Sequence, residues 1–287
     1  MTALARLLAA ALALLCALPA SAAPALWQVS DGDSRIWLFG SFHVLPPALE
    51  WRTPAFDKVL AGADKVYFEA DVGDAAQASI VTRTFEIGMN ALGTTLSSQL
   101  QPADADMLRS TIAEMQLPMG MLQAMKPWLA TTTISSAALI AAGYDPTRGV
   151  DMLLQKQLPK ERQAFFESAE EQLGFLASAP EDEQISMLTD TLKQLHALSG
   201  MTDDMVAAWS DGVPEQLGAI FMQDSAGYDG FVQRLIYDRN NTWSNKIEAM
   251  LAANEQNFIV VGAGHLIGDG SVVDLLERQG HRVKRLQ

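Results

Sequence analysis

Two short signatures carry the chemistry open to this sequence. Gly40-Ser41-Phe42-His43 follows the apolar run "IWLF", and Gly262-Ala263-Gly264-His265 follows "FIVV". In open α/β sheets, ligands bind beyond the carboxyl ends of the strands, which is where both histidines fall. If the two strands are neighbours, the imidazoles converge on one point, and neutral imidazole is the commonest protein metal ligand. A single G-x-x-H reads as a turn cap; the same construction used twice makes His43 and His265 candidate metal ligands.

A carboxylate joins them. Along "KVYFEAD", residues 65–71, strand alternation puts Val66, Phe68 and Ala70 on one face and Tyr67, Glu69 and Asp71 on the other. Glu69 is out of place in an apolar strand. Burying it unpaired is costly, so it calls for a metal, an arginine or a histidine. Asp71, at the strand end, either acts or caps a loop. Three further clusters supply charged groups: "DPTRGVD" (Asp145, Arg148, Asp151), "FFESAEEQ" (Glu167, Glu170, Glu171) and "YDRNNTW" (Asp238, Arg239, Asn240). Taken singly, each reads as a solvated turn or a helix cap. Arg239 can instead clamp a substrate carboxylate or hold Glu69 in place.

Other chemistries are excluded. No G-x-S-x-G is present, and Ser41 lies too close to His43 along the turn to pair as nucleophile and base. H-E-x-x-H and C-x-x-C are absent. The Gly262-x-Gly264-x-x-x-Gly268 spacing is one residue too long for a dinucleotide turn, and no acidic residue ends the next strand. Of the four histidines, His196 flanks an apolar helix face and His281 follows Gly280 at a strand entry; both read as packing or surface residues.

The elements that must position these groups are legible in outline. "LWQVS" and "RIWLFGS" flank Asp31-Gly32-Asp33 and predict a hairpin. A short helix follows Pro54, and a third strand spans 65–71. From Asp74 to about Gly200 the spacing is helical, clearest in Ile185, Leu188, Leu192, Leu195 and Leu198. One strand, 162–168, interrupts it. Met115, Met119, Met121 and Met125 read as ordinary core filling. Residues 202–252 read as helical throughout. A strand-helix-strand unit closes the chain, its strands pairing in parallel across the helix. The fold class is therefore α/β: a central mixed β-sheet with an N-terminal hairpin, a large helical insertion and the C-terminal unit, as one domain over residues 23–287.

The first 22 residues are set apart from that domain. Arg6, the apolar run Leu7 to Leu18 and Ala20-Ser21-Ala22 form the pattern of a secretory signal, cleaved after Ala22 or Ala23, and the run is short for a membrane span. An uncleaved anchor is the rival reading. Leu15 before Cys16 is not the small residue that a lipoprotein signal wants. The rest of the chain lacks cysteine, so core packing must hold it without disulfides. The formal charge of −14 argues against a nucleic-acid or anionic-membrane surface. The expectation is a periplasmic or secreted protein with no stable membrane anchor after cleavage.

These motifs, in this order, resemble those of the TraB/GumN family: GSFH, "YFEAD", "GVDMLL", "FESAEEQ", "DRNNTW" and above all "FIVVGAGHLIGDGSVVDLLERQGHRV". That family is grouped with Tiki-type and erythromycin-esterase-like proteins and with a haem-binding lipoprotein branch. Tiki proteins are described as divalent-metal-dependent peptidases using two G-x-x-H motifs and a glutamate. The resemblance implies metal ligation by His43, His265 and Glu69, with Glu69 a ligand or the general base. It also implies catalytic parts for Arg239 and Asn240, which match the family's Arg-Asn motif. The implied cofactor is a divalent ion (Mn, Co, Fe or Zn), and the implied substrate is a peptide or small molecule. The rival expectations are a non-catalytic haem- or ligand-binding protein, or an accessory protein of envelope or polysaccharide assembly.

Overall fold

Strands β2 (Arg35–Ser41) and β5 (Asn257–Gly262) are apolar at almost every position, a pattern that demands cover on both faces. They lie side by side in parallel, from Trp37 opposite Phe258 to Ser41 opposite Gly262. Around them a six-stranded mixed sheet assembles in the order β4-β3-β5-β2-β1-β6, with β3 (Lys65–Phe68), β4 (Gln163–Phe165), β1 (Leu26–Ser30) and β6 (Arg282–Arg285). The four strands β4, β3, β5 and β2 all run in parallel. Their carboxyl ends therefore share one edge. This computed structural model describes residues 22–287, so the leader reading of residues 1–21 lies outside the described residues.

Alternation splits the sheet's side chains between two cores. On one face Trp37, Phe39, Val66, Phe68, Phe258 and Val260 meet Phe56 and Leu60 of α1 (Pro54–Gly62). Val206 and Trp209, near the end of a 30-residue helix, complete that layer. The rings of Phe39 and Phe56 meet edge to face at 4.7 Å, a contact worth about 0.5–1.5 kcal/mol beyond area burial. On the other face Ile36, Leu38, Ile259 and Val261 pack on Trp243, Ile247 and Leu251 of α11 (Asp238–Ala252) and on Val272 and Leu276 of α12 (Val272–Arg278).

A third core is purely helical. It joins α3 (Pro102–Glu114), α4 (Met119–Gln123), α5 (Pro127–Ala141) and α8 (Glu181–Ser210) through Leu108, Leu122, Trp128, Ile134, Leu188 and Leu192. Proline opens α1, α3 and α5 at the first turn, where its missing N–H costs nothing. Met125 lies inside this core, while Met119 and Met121 are exposed.

Several boundaries differ from the sequence expectation. β3 ends at Phe68, so Glu69 stands just past the strand rather than in its middle. The stretch 202–252 is broken: α8 ends at Ser210, and α9 (Pro214–Asp224) and α10 (Asp229–Val232) are separated by turns. A π-helical turn at Gln233–Tyr237 then leads into α11. The closing strands β5 and β6 do not pair. β6 instead joins β1 antiparallel, Val29 opposite Val283. Both sides of β5 are taken, by β2 and β3, and β6 extends the edge that β1 leaves open.

Candidate active site

Each of the four parallel strands delivers one polar group at its carboxyl end. Beyond β3 and β4 the ladder runs on for two residues: Phe166 N donates to Phe68 O and Glu167 N to Glu69 O, both at 2.9 Å. Glu69 and Glu167 thus stand side by side. β5 ends in Gly262 and a 3-10 turn, Ala263–Leu266, that carries His265. β2 ends in Ser41, with His43 two residues on. The two G-x-x-H turns pack against each other: a Cβ on Gly40 would lie 2.9 Å from Ala263 Cα, so only glycine allows this approach.

Arg239, on the buried first turn of α11, ties the carboxylates together. Its Nη2 donates to Glu69 Oε2 at 2.6 Å and to Glu167 Oε2 at 2.9 Å, and its Nε donates to Glu167 Oε1 at 3.0 Å. The guanidinium lies 4.5 Å over the Trp243 ring, whose Nε1 donates to Glu167 at 3.0 Å. Arg239 Nη1 also donates to the Leu235 carbonyl, within the π-helical turn, at 3.0 Å; such turns recur at functional sites. Glu69 is bonded further by the Gly262 amide at 2.6 Å and by Gln172 Nε2 at 2.9 Å. Gln172 comes from α7 (Ala169–Ala177), capped by Ser168 and Glu171. Burial alone would raise the Glu69 pKa. His265, Arg239, His43 and the Gly262 amide outweigh it and hold the carboxyl at about 2. Since His265 is itself neutral, the steady source of that field is the guanidinium, which keeps its proton at any ordinary pH.

His265 is buried against Trp243, ring to ring at 4.5 Å. Asn240 Nδ2 donates to Gly270 O at 2.9 Å, which leaves its Oδ1 to accept from His265 Nδ1 at 2.7 Å. The proton is therefore on Nδ1, and Nε2 accepts from Arg239 Nη1 at 3.1 Å. Burial is the main cause that pushes the His265 pKa down, to about 3, with Arg239 assisting and Glu69 opposing.

His43 is different: its side chain is 68% exposed. Its Nδ1 bonds Asp151 Oδ2 at 2.9 Å, and Asp151 Oδ1 accepts from Ser41 Oγ at 3.2 Å. The Asp151 charge beside the exposed ring is the main cause that lifts the His43 pKa to about 9. Solvent around the exposed ring screens that pairing. Asp151 lies in the first turn of α6 (Val150–Gln157), pressed onto the loop: Val150 N donates to Phe42 O at 3.0 Å. A Cβ on Gly149 would fall 2.1 Å from the His43 carbonyl oxygen.

His43, Glu69, Arg239 and His265 all line one cleft of about 420 Å³, together with apolar residues that include Phe175, Phe221 and Ile236. Asn240 stands behind His265, fully buried. Asp71 turns away to cap Gly73 N at 2.8 Å, and Glu170 makes an exposed pair with Arg83. Arg148 does not line the cleft. Sequence reasoning raised Glu167 and Asp151 without a role and did not raise Gln172. Counting formal charges, Glu69 and Glu167 against Arg239 leave the buried cluster at about −1, since neutral His265 adds nothing and His43 offsets Asp151.

A divalent ion was tested against this donor set. Two imidazoles are each anchored through Nδ1; His265 presents a bare Nε2, whereas His43, protonated beside Asp151, must release its Nε2 proton before it can ligate. Among the described residues, however, no three His, Cys, Asp or Glu side chains form a ready metal-binding group. Arg239 also competes for the lone pair of His265 Nε2 and for Glu69. Glu69 is already bonded by Arg239, the Gly262 amide and Gln172, so an ion at this cleft would meet those donors in competition for the Glu69 oxygens.

Among the described residues no helix is long and apolar enough to cross a membrane. Metalloprotease TIKI2 of Danio rerio is 39% identical over 54 residues, 18% of this chain and 10% of that protein. Metalloprotease TIKI2 of Xenopus tropicalis is 38% identical over 56 residues, 19% of this chain and 11% of that protein. Metalloprotease TIKI homolog of Amphimedon queenslandica is 37% identical over 57 residues, again 19% and 11%. The matched segment is thus about a tenth of those relatives' length. No solved structure matches. The family profile for TraB/PrgY/gumN matches residues 25–285, nearly the whole described chain, and the protein belongs to the TraB/PrgY/gumN family.

Proposed function

We propose that this chain is an exported hydrolase of peptides or related small amides, assisted by a divalent metal ion. The observation that carries the reading is the convergence of His43, Glu69, Arg239 and His265 on one cleft at the carboxyl ends of parallel strands. The metal dependence draws on the relatives named as metalloproteases. Export draws on the signal-like segment over residues 1–22.

A metal at the two imidazole Nε2 atoms would polarise a carbonyl and acidify bound water. Mn, Co, Fe and Zn all suit histidine with oxygen ligands. The chain's own groups divide the remaining work. Held at about 2, Glu69 serves as a fixed negative charge rather than as a proton acceptor near neutral pH. Arg239 fixes Glu69 and lines the cleft, where its charge can stabilise a developing oxyanion. Asn240 holds the His265 tautomer, and Asp151 aims the exposed His43 ring.

The test uses untagged protein purified from its export compartment, assayed by elemental analysis and against a mixed peptide library read by mass spectrometry. Near-stoichiometric metal and peptide cleavage, both lost in the His43→Ala/His265→Ala variant while the fold persists, are the expected result. A metal-free wild-type protein that cleaves no peptide overturns the proposal. The hydrogen bonds that Glu69 accepts from Arg239, the Gly262 amide and Gln172 commit both its oxygens and favour a second reading, a non-catalytic ligand-binding site. A haem Soret band that vanishes in the same variant would select it.

A further inference from the structure

Gln172 is held in place by the two carboxylates of the cleft. Its Nε2 donates to Glu69 Oε2 at 2.9 Å and to Glu167 Oε2 at 3.4 Å. That fixes the amide: turned over, it would set its carbonyl oxygen against two carboxylate oxygens. Among the described residues no donor reaches Gln172 Oε1, and that atom is open to solvent. Gln172 itself lines the cleft. Phe175 and Leu176 of α7 line it too, three and four residues on, the spacing of one helix face. An oriented acceptor thus shares the cleft with an apolar wall, to which Met205 and Phe221 also contribute.

The cations of the cleft are already committed. Arg239 uses every N–H it has: Nε on Glu167, Nη1 on the Leu235 carbonyl and His265 Nε2, Nη2 on Glu69 and Glu167. It can act on a ligand through its charge, not through a hydrogen bond, and the two carboxylates around it outnumber it. His43 is offset by Asp151. Among the described residues that line the cleft there is no lysine and no second arginine. An anionic group would therefore enter with no uncommitted cation to meet it, which is costly where water is displaced. An N–H donor joined to an uncharged apolar group finds a partner for each part.

We propose that Gln172 is a specificity-determining residue of the cleft: its Oε1 accepts a backbone N–H from a peptide residue whose uncharged apolar side chain packs on Phe175, Leu176, Met205 and Phe221. The occupant is thus a neutral, apolar stretch of peptide rather than an acidic one. That this peptide is also cut rests on the hydrolase reading; that it binds does not, and binding is measured on its own.

The test compares three probes built on one skeleton. N-acetyl-leucine dimethylamide carries a single N–H, its ester isostere has oxygen in place of that N–H, and N-acetyl-glutamate dimethylamide keeps the N–H but adds a carboxylate. Each is titrated into the purified protein at neutral pH and read by ¹H–¹⁵N NMR, the Gln172 side-chain signals being identified by their loss in Gln172→Met. The leucine amide should bind saturably, shift those signals and bind about 2–10-fold more tightly than its ester, the effect of one neutral hydrogen bond. The glutamate probe should bind at least about fivefold more weakly than the leucine amide. In Gln172→Met, amide and ester should bind alike, whereas a merely structural loss would weaken both and keep their ratio. Every residue of α7 keeps some exposure, so the substitution enters no core; if the variant does not fold, the amide–ester comparison in the wild-type protein decides. Amide and ester bound equally by the wild type, an amide preference that survives in folded Gln172→Met, a glutamate probe bound as tightly as the leucine amide, or no binding of any probe overturns the inference. A peptide library left uncleaved by a protein that binds the probes as expected overturns the hydrolase reading alone; cleavage beside acidic residues as readily as beside apolar ones overturns the part given to Gln172 alone.

Discussion

Asn240 holds His265 in one tautomer: its side-chain oxygen accepts from Nδ1 at 2.7 Å because its amide nitrogen is committed to the Gly270 carbonyl at 2.9 Å. The two residues are 25 apart in sequence and both are buried. Asn240→Ala should leave both Nδ1 and the Gly270 carbonyl without their partner. A buried polar group so stranded costs about 1–3 kcal/mol. Denaturant unfolding should register that loss, and ¹⁵N NMR of the histidine side chains should show a mixed tautomer in place of Nδ1–H.

Arg239 is the single cation between Glu69 and Glu167. Arg239→Met would leave two buried carboxylates facing each other, and removing one partner of a buried pair costs about 3–5 kcal/mol. The triple variant Arg239→Met/Glu69→Gln/Glu167→Gln should recover a large part of this in urea midpoints. Equal instability of the single and triple variants would show that the arginine acts by shape, not charge.

Two turn glycines at opposite ends of β2 should respond differently to alanine. Gly149 has an ordinary negative φ, yet its Cβ would sit 2.1 Å from the His43 carbonyl oxygen. Gly149→Ala should therefore displace the His43 loop and cost about 1–3 kcal/mol, the range for forced overpacking. Gly32, with nothing within 4 Å, should tolerate alanine. Asp151→Asn, which weakens the hold on the ring without a clash, should lower metal affinity or hydrolysis about 10–100-fold, as loss of a histidine's supporting carboxylate does. Calorimetric metal titration separates that effect from unfolding.

Stability of the metal-free protein should peak near pH 6.5–7, a window set by opposing shifts. His265 accepts a proton below about 6.5 when unfolded but only near 3 when folded, so the unfolded state binds more protons between those values. Stability then falls as pH drops, by up to about 1.4 kcal/mol per pH unit for one such group. Glu69 acts in the same sense between its reference 4.5 and about 2. His43 acts oppositely: its folded pKa near 9 gives stability that is full below 6.5 and lost as pH rises through 9. Its exposure makes this alkaline limb shallow. Urea midpoints from pH 3 to 10, with chelator present, should show a steep acid limb, and His43→Gln should flatten only the alkaline one.

What the sequence determined by itself was local. The runs before Gly40 and Gly262 specify strands buried on both faces, because near-continuous apolar residues leave no face for water. Prolines and capping residues mark where α1, α3 and α5 begin, since their effect reaches only the first turn. Glu69 announced a need for a partner because a lone buried charge is costly wherever it lies.

Tertiary structure alone decided which partner met which need. Glu69 lies 170 residues from Arg239, and Asp151 lies 108 from His43; no period or local propensity encodes such pairings. They follow from strand order, which sets Glu167 beside Glu69, and from the packing of α11, whose first turn brings Arg239 to both. Strand order also sent β6 to β1 rather than β5, because β5 lies between β2 and β3 while β1 offers an open edge. Side-chain chemistry is written residue by residue, but its placement depends on how distant surfaces pack, and packing is a property of the whole chain.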